Sequence, residues 1–347
     1  MSVDVLLVAL GSTTGLRLAE AELAGSLERA GLSVAVARAE PPREVRTFAA
    51  TDLGWALAAR RAARAGIAAH RPQAVVYSTT TAALLWPRRG AIRFDALAAA
   101  NRPGRHGFWQ RPQERRRLAA ATLLLPQDDG ALAELGGAAA RVTVPTVVVP
   151  IPVDPSGDAV PWAARDIAAI TYAANPAKKG LDRVLAAWAL ARSGGEELVV
   201  CGIDALPAGA ATAGLPAGSV RVAGLLAPDA YRALLRRSRL YVTAPRREDH
   251  GIAQLEALAD GCALVTTTAP GPYAALGPAR TLDPRWVLPD GAPAAALAAA
   301  IRAALDDPPA DLAARGPASV ATHSRAAVDA LVATRVAPLL RATLSTD

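Results

Sequence analysis

Apolar residues recur along this chain in short uninterrupted runs, each followed by a turn-forming stretch and then by a segment in which apolar positions return at helical spacing. Continuous runs of this kind, bounded by Gly, Pro or polar clusters, predict strands buried on both faces, and the intervening segments predict helices. In the first part of the chain the strands are Val3 to Leu10, Leu32 to Ala37, Gln73 to Ser78 and Ala91 to Phe94, with helices over Leu16 to Ala30 and Leu53 to Ala69. Ala119 to Leu125 and Val142 to Val149 are expected to complete a first sheet. Then Pro150, Pro152, Pro155 and Gly157 break all periodicity and predict a linker. Beyond it the pattern restarts. Strands are expected at Ile167 to Tyr172, Leu198 to Cys201, Val220 to Val222, Leu240 to Ala244 and Cys262 to Thr267, with helices at Leu181 to Arg192, Asp229 to Arg237 and Ala294 to Leu305. A last helix is expected from Arg325 to Leu344, long enough to pack back across the linker. Strands that alternate with helices require a parallel sheet.

Composition sharpens this picture in two ways. At 347 residues the chain is long enough for two ordinary domains. Hydrophobic residues make up 52% but aromatic residues only 4%, so the cores must be built from Ala, Val and Leu. No uncharged apolar run approaches the length of a bilayer span, and the start, without a basic region, does not read as a signal peptide. Cys201 and Cys262 have no Cys or His at ligand spacing and read as buried thiols of a reducing compartment.

Charge is unevenly divided. Residues 1–150 carry 19 Arg against 12 Asp and Glu, a balance of +7, which leaves 38 − 19 = 19 basic and 31 − 12 = 19 acidic residues for the rest. The excess suggests an acidic partner for the first half, or simply solvated Arg-rich helix faces. The chain also has only two lysines, the adjacent Lys178 and Lys179, in a loop after a predicted strand. An ammonium approaches a phosphate as a compact point charge where a planar guanidinium does not fit.

Candidate chemistry centres on Glu248 to Glu256. Glu248 falls at the carboxyl end of the Leu240 to Ala244 strand, the edge at which open α/β sheets bind ligands. Ile252, Leu255 and Ala259 recur at helical spacing and Gly261 ends the run, so a helix is expected from His250 to Asp260 with Glu256 on its second turn. The two carboxylates would lie roughly 12 Å apart along such an axis, with free amides and a positive dipole end between them. A diphosphate with a sugar on each side suits that layout. In the first half, Gly11 to Gly15 (GSTTG) forms a strand-to-helix turn that lacks the G-x-G-x-x-G dinucleotide fingerprint. Arg93 to Arg117 holds seven Arg against Asp95 and Glu114, and is the segment expected to contact an acceptor or anion.

On these residues the second half resembles the retaining family 4 glycosyltransferases of the GT-B architecture. Glu248 through Glu256 matches their Glu-x7-Glu motif, Ser219 to Gly224 the strand before the base-binding turn, and Lys179-Gly180 the Lys-Gly phosphate motif. The resemblance implies an α/β fold of two Rossmann-like α/β/α domains facing each other across a cleft: residues 1–152 on the acceptor side, 160–324 binding the donor, and a helix at 325–347 crossing back. It implies a retaining hexosyl transfer from a UDP- or GDP-sugar to an acceptor that is a glycan, lipid-linked or small molecule. No tightly bound cofactor and no metal are expected.

In that scheme Lys178, Lys179, Gly251 and Ile252 meet the diphosphate, Glu256 the ribose, Gly224 and Leu225 the base, and Glu248 the hexose. Gly11 and Gly15 would lie near the donor phosphates, and Asp95 or His106 would orient or deprotonate the acceptor hydroxyl. The chain departs from the family at Ala174, where an Arg is usual, at Asp249-His250, where Gly-Phe is usual, and at Ala253, where Pro is usual. Two alternatives stay open: a nucleotide-sugar 2-epimerase of the same fold, and a binding protein without transfer. The expected location is cytoplasmic, with peripheral contact to an anionic membrane through the Arg-rich half. Nucleic acid is not an expected partner, because aromatic and basic residues are not interleaved.

Overall fold

The computed structural model describes residues 2–43, 45, 47–102, 104–135, 144–209 and 215–342. The chain divides into two compact units, Met1–Pro152 with Arg325–Asp347, and Val153–Ser324. Among the described residues each unit is built on one parallel sheet with helices on its faces.

The first unit contains β1 (Val5–Ala9), β2 (Val34–Arg38), β3 (Ala74–Tyr77), β4 (Ala91–Phe94) and β5 (Leu124–Pro126), in the order β2-β1-β3-β4-β5. β1 is buried at every position, as the unbroken apolar run requires of a central parallel strand. One face packs Leu6, Val8, Val75 and Ile92 against Ala58, Ala59 and Ala63 of the Phe48–His70 helix. The other packs Val5, Leu7 and Val76 against Leu23 and Leu27 of the Thr14–Arg29 helix and against Val328, Val332 and Leu340 near the chain end. The terminal segment is helical over Arg325–Leu331 and Ala337–Ala342 with a π turn at Val332–Val336 between them; Thr343 and Leu344 lie outside the described residues. Asp329 ties it to Arg29 and accepts a 2.7 Å hydrogen bond from Ser26.

Two expectations need adjusting here. The Phe48–His70 helix starts before Leu53 because Thr47 caps it, its hydroxyl accepting from the Ala50 amide at 3.3 Å. The run predicted from Val142 joins the sheet only through a bridge between Leu124 and Thr146, Val142 and Thr143 lying outside the described residues.

The second unit contains β6 (Ile167–Tyr172), β7 (Leu198–Cys201), β8 (Val220–Gly224), β9 (Ser238–Val242), β10 (Ala263–Thr267) and β11 (Val287–Leu288), in the order β11-β10-β9-β6-β7-β8. β6, β7, β9 and β10 form the middle of the core, with Trp188 and Trp286 fully buried against it. From β6 the chain winds outward through β7 and β8, then returns to the other side of β6 for β9, β10 and β11. The winding therefore reverses between β6 and β9. In the first sheet it reverses between β1 and β3. Such switch points open a crevice beyond the carboxyl ends of the strands, where doubly wound sheets bind ligands.

Candidate functional site

At the switch point of the second sheet, the connection after β6 carries Lys178 and Lys179 on a single helical turn, Pro176–Lys179, where a loop is expected from the sequence, and the loop after β9 carries Arg246 to Gly251. The two connections are laced together by a hydrogen bond from the Arg246 amide to the Lys178 carbonyl at 2.9 Å. Gly180 permits that approach: a β-carbon there would stand 1.9 Å from the carbonyl oxygen of Ala244. The lysines are thereby set opposite the acidic pair. Lys179 Nζ donates to Glu248 at 2.6 Å and Lys178 Nζ to Asp249 at 2.7 Å, while Arg247 reaches Asp249 at 2.8 Å.

Glu248 is almost wholly enclosed, and the same oxygen that takes Lys179 accepts from Gln254 Nε2 at 2.9 Å. A buried carboxylate is stable only with such partners, and removing one of them is expensive. The loop after β10 closes the cradle from the other side. The Glu248 amide donates to Pro270 and the Tyr273 amide to Asp249, at 3.1 Å each. Gly271, at φ +115°, brings this loop so near that a β-carbon would stand 2.1 Å from the Glu248 carbonyl oxygen. Lys178 and Arg247 hold the Asp249 carboxyl below its ordinary range against the opposing effect of burial.

Beyond the acidic pair, Gly251 begins the Ile252–Ala259 helix, with no side chain capping its first amides. Uncapped amides and a positive dipole end attract an anion, and Lys178 and Lys179 stand in the same cradle. Four residues into the helix, Glu256 is half-buried, and burial pushes its carboxyl up to about 7. Its charged neighbour is Arg232, 3.7 Å away, rather than a lysine. Arg232 is itself fixed by Asp260 at 2.7 Å and by the Asp154 carbonyl at 2.7 Å. At the end of β8, Gly224 is in the left-handed region and Leu225 is 70% exposed, an unusual placement for a large apolar side chain. Lys178, Lys179, Glu248, Gly251 and Ile252 are thus brought together, with Glu256 one turn further along the helix and Gly224-Leu225 on the outermost strand of the same sheet edge. Gln254, Arg232 and Asp260 were not singled out by sequence reasoning, and no spacing rule points to them.

The first switch point is a different environment. The Gly11 amide donates to the buried Glu20 carboxylate at 3.1 Å, as the Leu10 amide does at 2.7 Å. Gly15 lies in the first turn of the helix capped by Thr13, whose hydroxyl accepts from the Leu16 amide at 3.1 Å. Beside this turn is a pocket of about 340 Å³ between the segments after β1, β3 and β4 and the start of the Phe48–His70 helix. Asp95, Asp52 and Glu114 line it. Asp52 accepts from Arg102 at 2.7 Å and from Gln110 at 3.1 Å, and burial pushes the Glu114 carboxyl up to about 7.

His106 is not among the lining residues; it is exposed on the Gly104–Gly107 turn, edge-on to Phe48 at 5.6 Å. The Arg-rich segment mostly serves the fold. Arg93 is buried and donates to the Ala19 carbonyl, Arg102 holds Asp52, Arg111 donates to the Gly104 carbonyl at 2.7 Å, and Arg117 to the Leu84 carbonyl at 3.0 Å. Among the described residues no group of three or more His, Cys, Asp or Glu is placed to hold a metal ion, and no helix is long and apolar enough to cross a membrane.

Residues 165–307, within the second unit, match the family model described as Glycosyl transferases group 1. No curated protein is similar to the chain by sequence at a significant level. Solved structures share the fold. A sucrose-phosphate synthase from Thermosynechococcus elongatus is similar over 99% of this chain and 100% of its own, with a TM-score of 0.76 at 16% identity. WaaG, a glycosyltransferase involved in lipopolysaccharide biosynthesis, is similar over 95% and 98%, with a TM-score of 0.70 at 14% identity. HepE of Anabaena, solved in complex with UDP and glucose, is similar over 97% and 100%, with a TM-score of 0.69 at 15% identity. The architecture is that of the GT-B glycosyltransferases, and the segment that matches the group 1 model lies in the second unit.

Proposed function

We propose that this chain is a retaining glycosyltransferase that moves a hexose from a UDP- or GDP-sugar to an acceptor, without a metal. The single observation that carries the reading is the cradle in which the chain's two lysines, the uncapped amides of Gly251 and Ile252, and Glu248 converge at one sheet switch point. In this reading the diphosphate occupies the space at the helix start. Lys179 and Lys178 share their ammonium protons between the acidic pair and the phosphate oxygens, and Leu225 packs against the base. Glu256, ionised on binding, accepts from the ribose hydroxyls. Glu248 is held by Lys179 and Gln254, so its role is to orient the hexose hydroxyls. As the glycosidic bond breaks, negative charge builds on the β-phosphate, and fixed cations and amides aimed there lower the barrier more than they tighten ground-state binding. That HepE was solved with UDP and glucose supports a UDP-hexose donor.

The test is a thermal-shift screen with UDP, GDP, ADP and their sugars, followed by NMR of the anomeric proton of the product. Stabilisation by one nucleotide series and a product with the donor's anomeric configuration are expected. No stabilisation by any of them would remove the donor-site assignment, and inversion at the anomeric carbon would remove the retaining mechanism. One observation favours a second reading, binding without transfer: position 174, where the resemblance expects Arg, is an exposed Ala. Donor binding by calorimetry with neither transfer nor donor hydrolysis would establish that reading instead.

A further inference from the structure

The composition of the first half suggests an acidic partner, yet the pocket at its switch point has the opposite character. Among the described residues that line it, three carboxyl groups (Asp52, Asp95 and Glu114) face one cation, Arg102. That guanidinium is bound through two of its nitrogens to Asp52, at 2.7 and 3.0 Å. The rest of the polar lining is hydroxyl and amide, supplied by residues such as Ser12, Thr51, Thr80, Asn101 and Gln110, with Trp55 and Phe48 as the aromatic component. Among the described residues, one that lines it has a polar atom without a partner: Gln110, 1% exposed, whose Oε1 makes no hydrogen bond while its amide nitrogen donates to Asp52. A buried carbonyl oxygen left unpaired is destabilising, and a donor on a ligand, such as a hydroxyl or an ammonium, relieves it. A phosphate dianion has no donor for that oxygen and enters a lining in which carboxyl groups outnumber cations.

We propose that this pocket binds the acceptor, and that the acceptor is a polyhydroxylated molecule without negative charge, a neutral or aminated sugar or cyclitol. Its identification as the acceptor rests on the glycosyltransferase reading; its ligand chemistry rests on the pocket alone. Carboxylates accept from ring hydroxyls, side-chain amides both accept from and donate to them, Trp55 and Phe48 offer apolar surface to the C–H face of a ring, and a small shift of the Gln110 side chain lets its Oε1 accept from one ligand hydroxyl. A volume of about 340 Å³ lies in the range of small-molecule sites. The surface arginines of this half, such as Arg105, Arg115 and Arg116, are exposed and outside the lining, so the net positive charge of the half says nothing about the ligand's charge.

The experiment is saturation-transfer NMR of the full-length protein, without donor, against methyl glucoside, glucosamine and glucose 6-phosphate, repeated with Gln110→Met and Asn101→Lys. Saturation transfer to methyl glucoside or glucosamine and little to glucose 6-phosphate is expected. Gln110→Met should weaken the neutral ligand by about tenfold, as loss of a buried hydrogen bond implies. Asn101→Lys, which adds a cation to the lining, should raise binding of glucose 6-phosphate by about tenfold. Preference of the wild type for glucose 6-phosphate, or saturation of no polyol at all, would overturn the proposal, as would neutral-ligand binding indifferent to Gln110→Met with the melting temperature unchanged. UDP calorimetry on the same samples separates the two readings. If no nucleotide binds, the donor assignment fails, while the saturation-transfer arm still decides the pocket.

Discussion

The two switch points have the same topological origin and opposite chemistry. In both sheets the winding reverses next to the first strand, between β1 and β3 in one and β6 and β9 in the other, and each reversal opens a crevice at the carboxyl edge. In the second unit the crevice is furnished with two ammonium groups, free helix amides and a carboxylate bound by Lys179. In the first unit the corresponding amides after β1 are satisfied internally by Glu20, and the lining is carboxylic and hydroxylic. Topology fixes where a ligand sits; the side chains that close the backbone's hydrogen bonds there fix its charge. An amide already bonded to a carboxylate of the chain is one donor fewer for an anion, whatever the glycine content of its loop.

That contrast can be broken most sharply at Lys179. Replacing it by Ala removes a cation from the developing phosphate charge and leaves Glu248 buried with Gln254. Transfer, followed by nucleotide release, is expected to fall by about 10³ in kcat/KM. An effect of less than tenfold would mean that the cation supporting the phosphate lies elsewhere. Glu256→Ala comes next. Loss of the ribose contacts is expected to weaken UDP or GDP binding by about 10- to 100-fold, the range for hydrogen bonds to a charged group, with the melting temperature of the free protein near that of wild type. Calorimetry that finds unchanged affinity would remove the ribose role.

The pH dependence has a defined sign. Burial raises the Glu256 carboxyl to about 7 in the free protein, whereas ribose hydroxyls bond best to its ionised form. Nucleotide binding should therefore release a proton, strengthening as pH rises through 7 and weakening by about tenfold between pH 8 and pH 6. Glu256→Gln should flatten that profile. The smallest effect is expected at position 174: Ala174→Arg, which adds at an exposed site the cation that the resemblance implies, should tighten diphosphate binding by about threefold, as a screened surface charge does. A larger gain would show that Lys178, held by Asp249, contributes little to the phosphate.

Much of the architecture is legible in the chain because buried parallel strands read as unbroken apolar runs. β1, β4, β6 and β7 fall within the predicted runs, and the Leu181–Ala191 and Ile252–Ala259 helices within a few residues of their predicted bounds. The chemistry of the second cradle is legible because its groups lie in two local stretches whose strand ends are obvious. The partnerships are not. Lys179 meets Glu248 across 69 residues and Arg102 meets Asp52 across 50, distances that only the strand order closes. The Arg-rich segment misleads for the same reason: Arg93 and Arg117 read as surface charge in sequence but bond carbonyls of their own unit. Glu20, one of three glutamates in its helix, gives no sign in the sequence that its carboxylate will occupy the Gly11 amide.

The central claim, that anion binding belongs to the second switch point and not the first, is tested most directly by calorimetric titration of UDP and GDP into the wild type, Lys179→Ala and Asn101→Lys. Tight binding of one nucleotide by the wild type and by Asn101→Lys, with binding by Lys179→Ala weakened by about 100-fold or more, is the predicted result. Full affinity in Lys179→Ala, or a marked change in nucleotide affinity in Asn101→Lys, would contradict it.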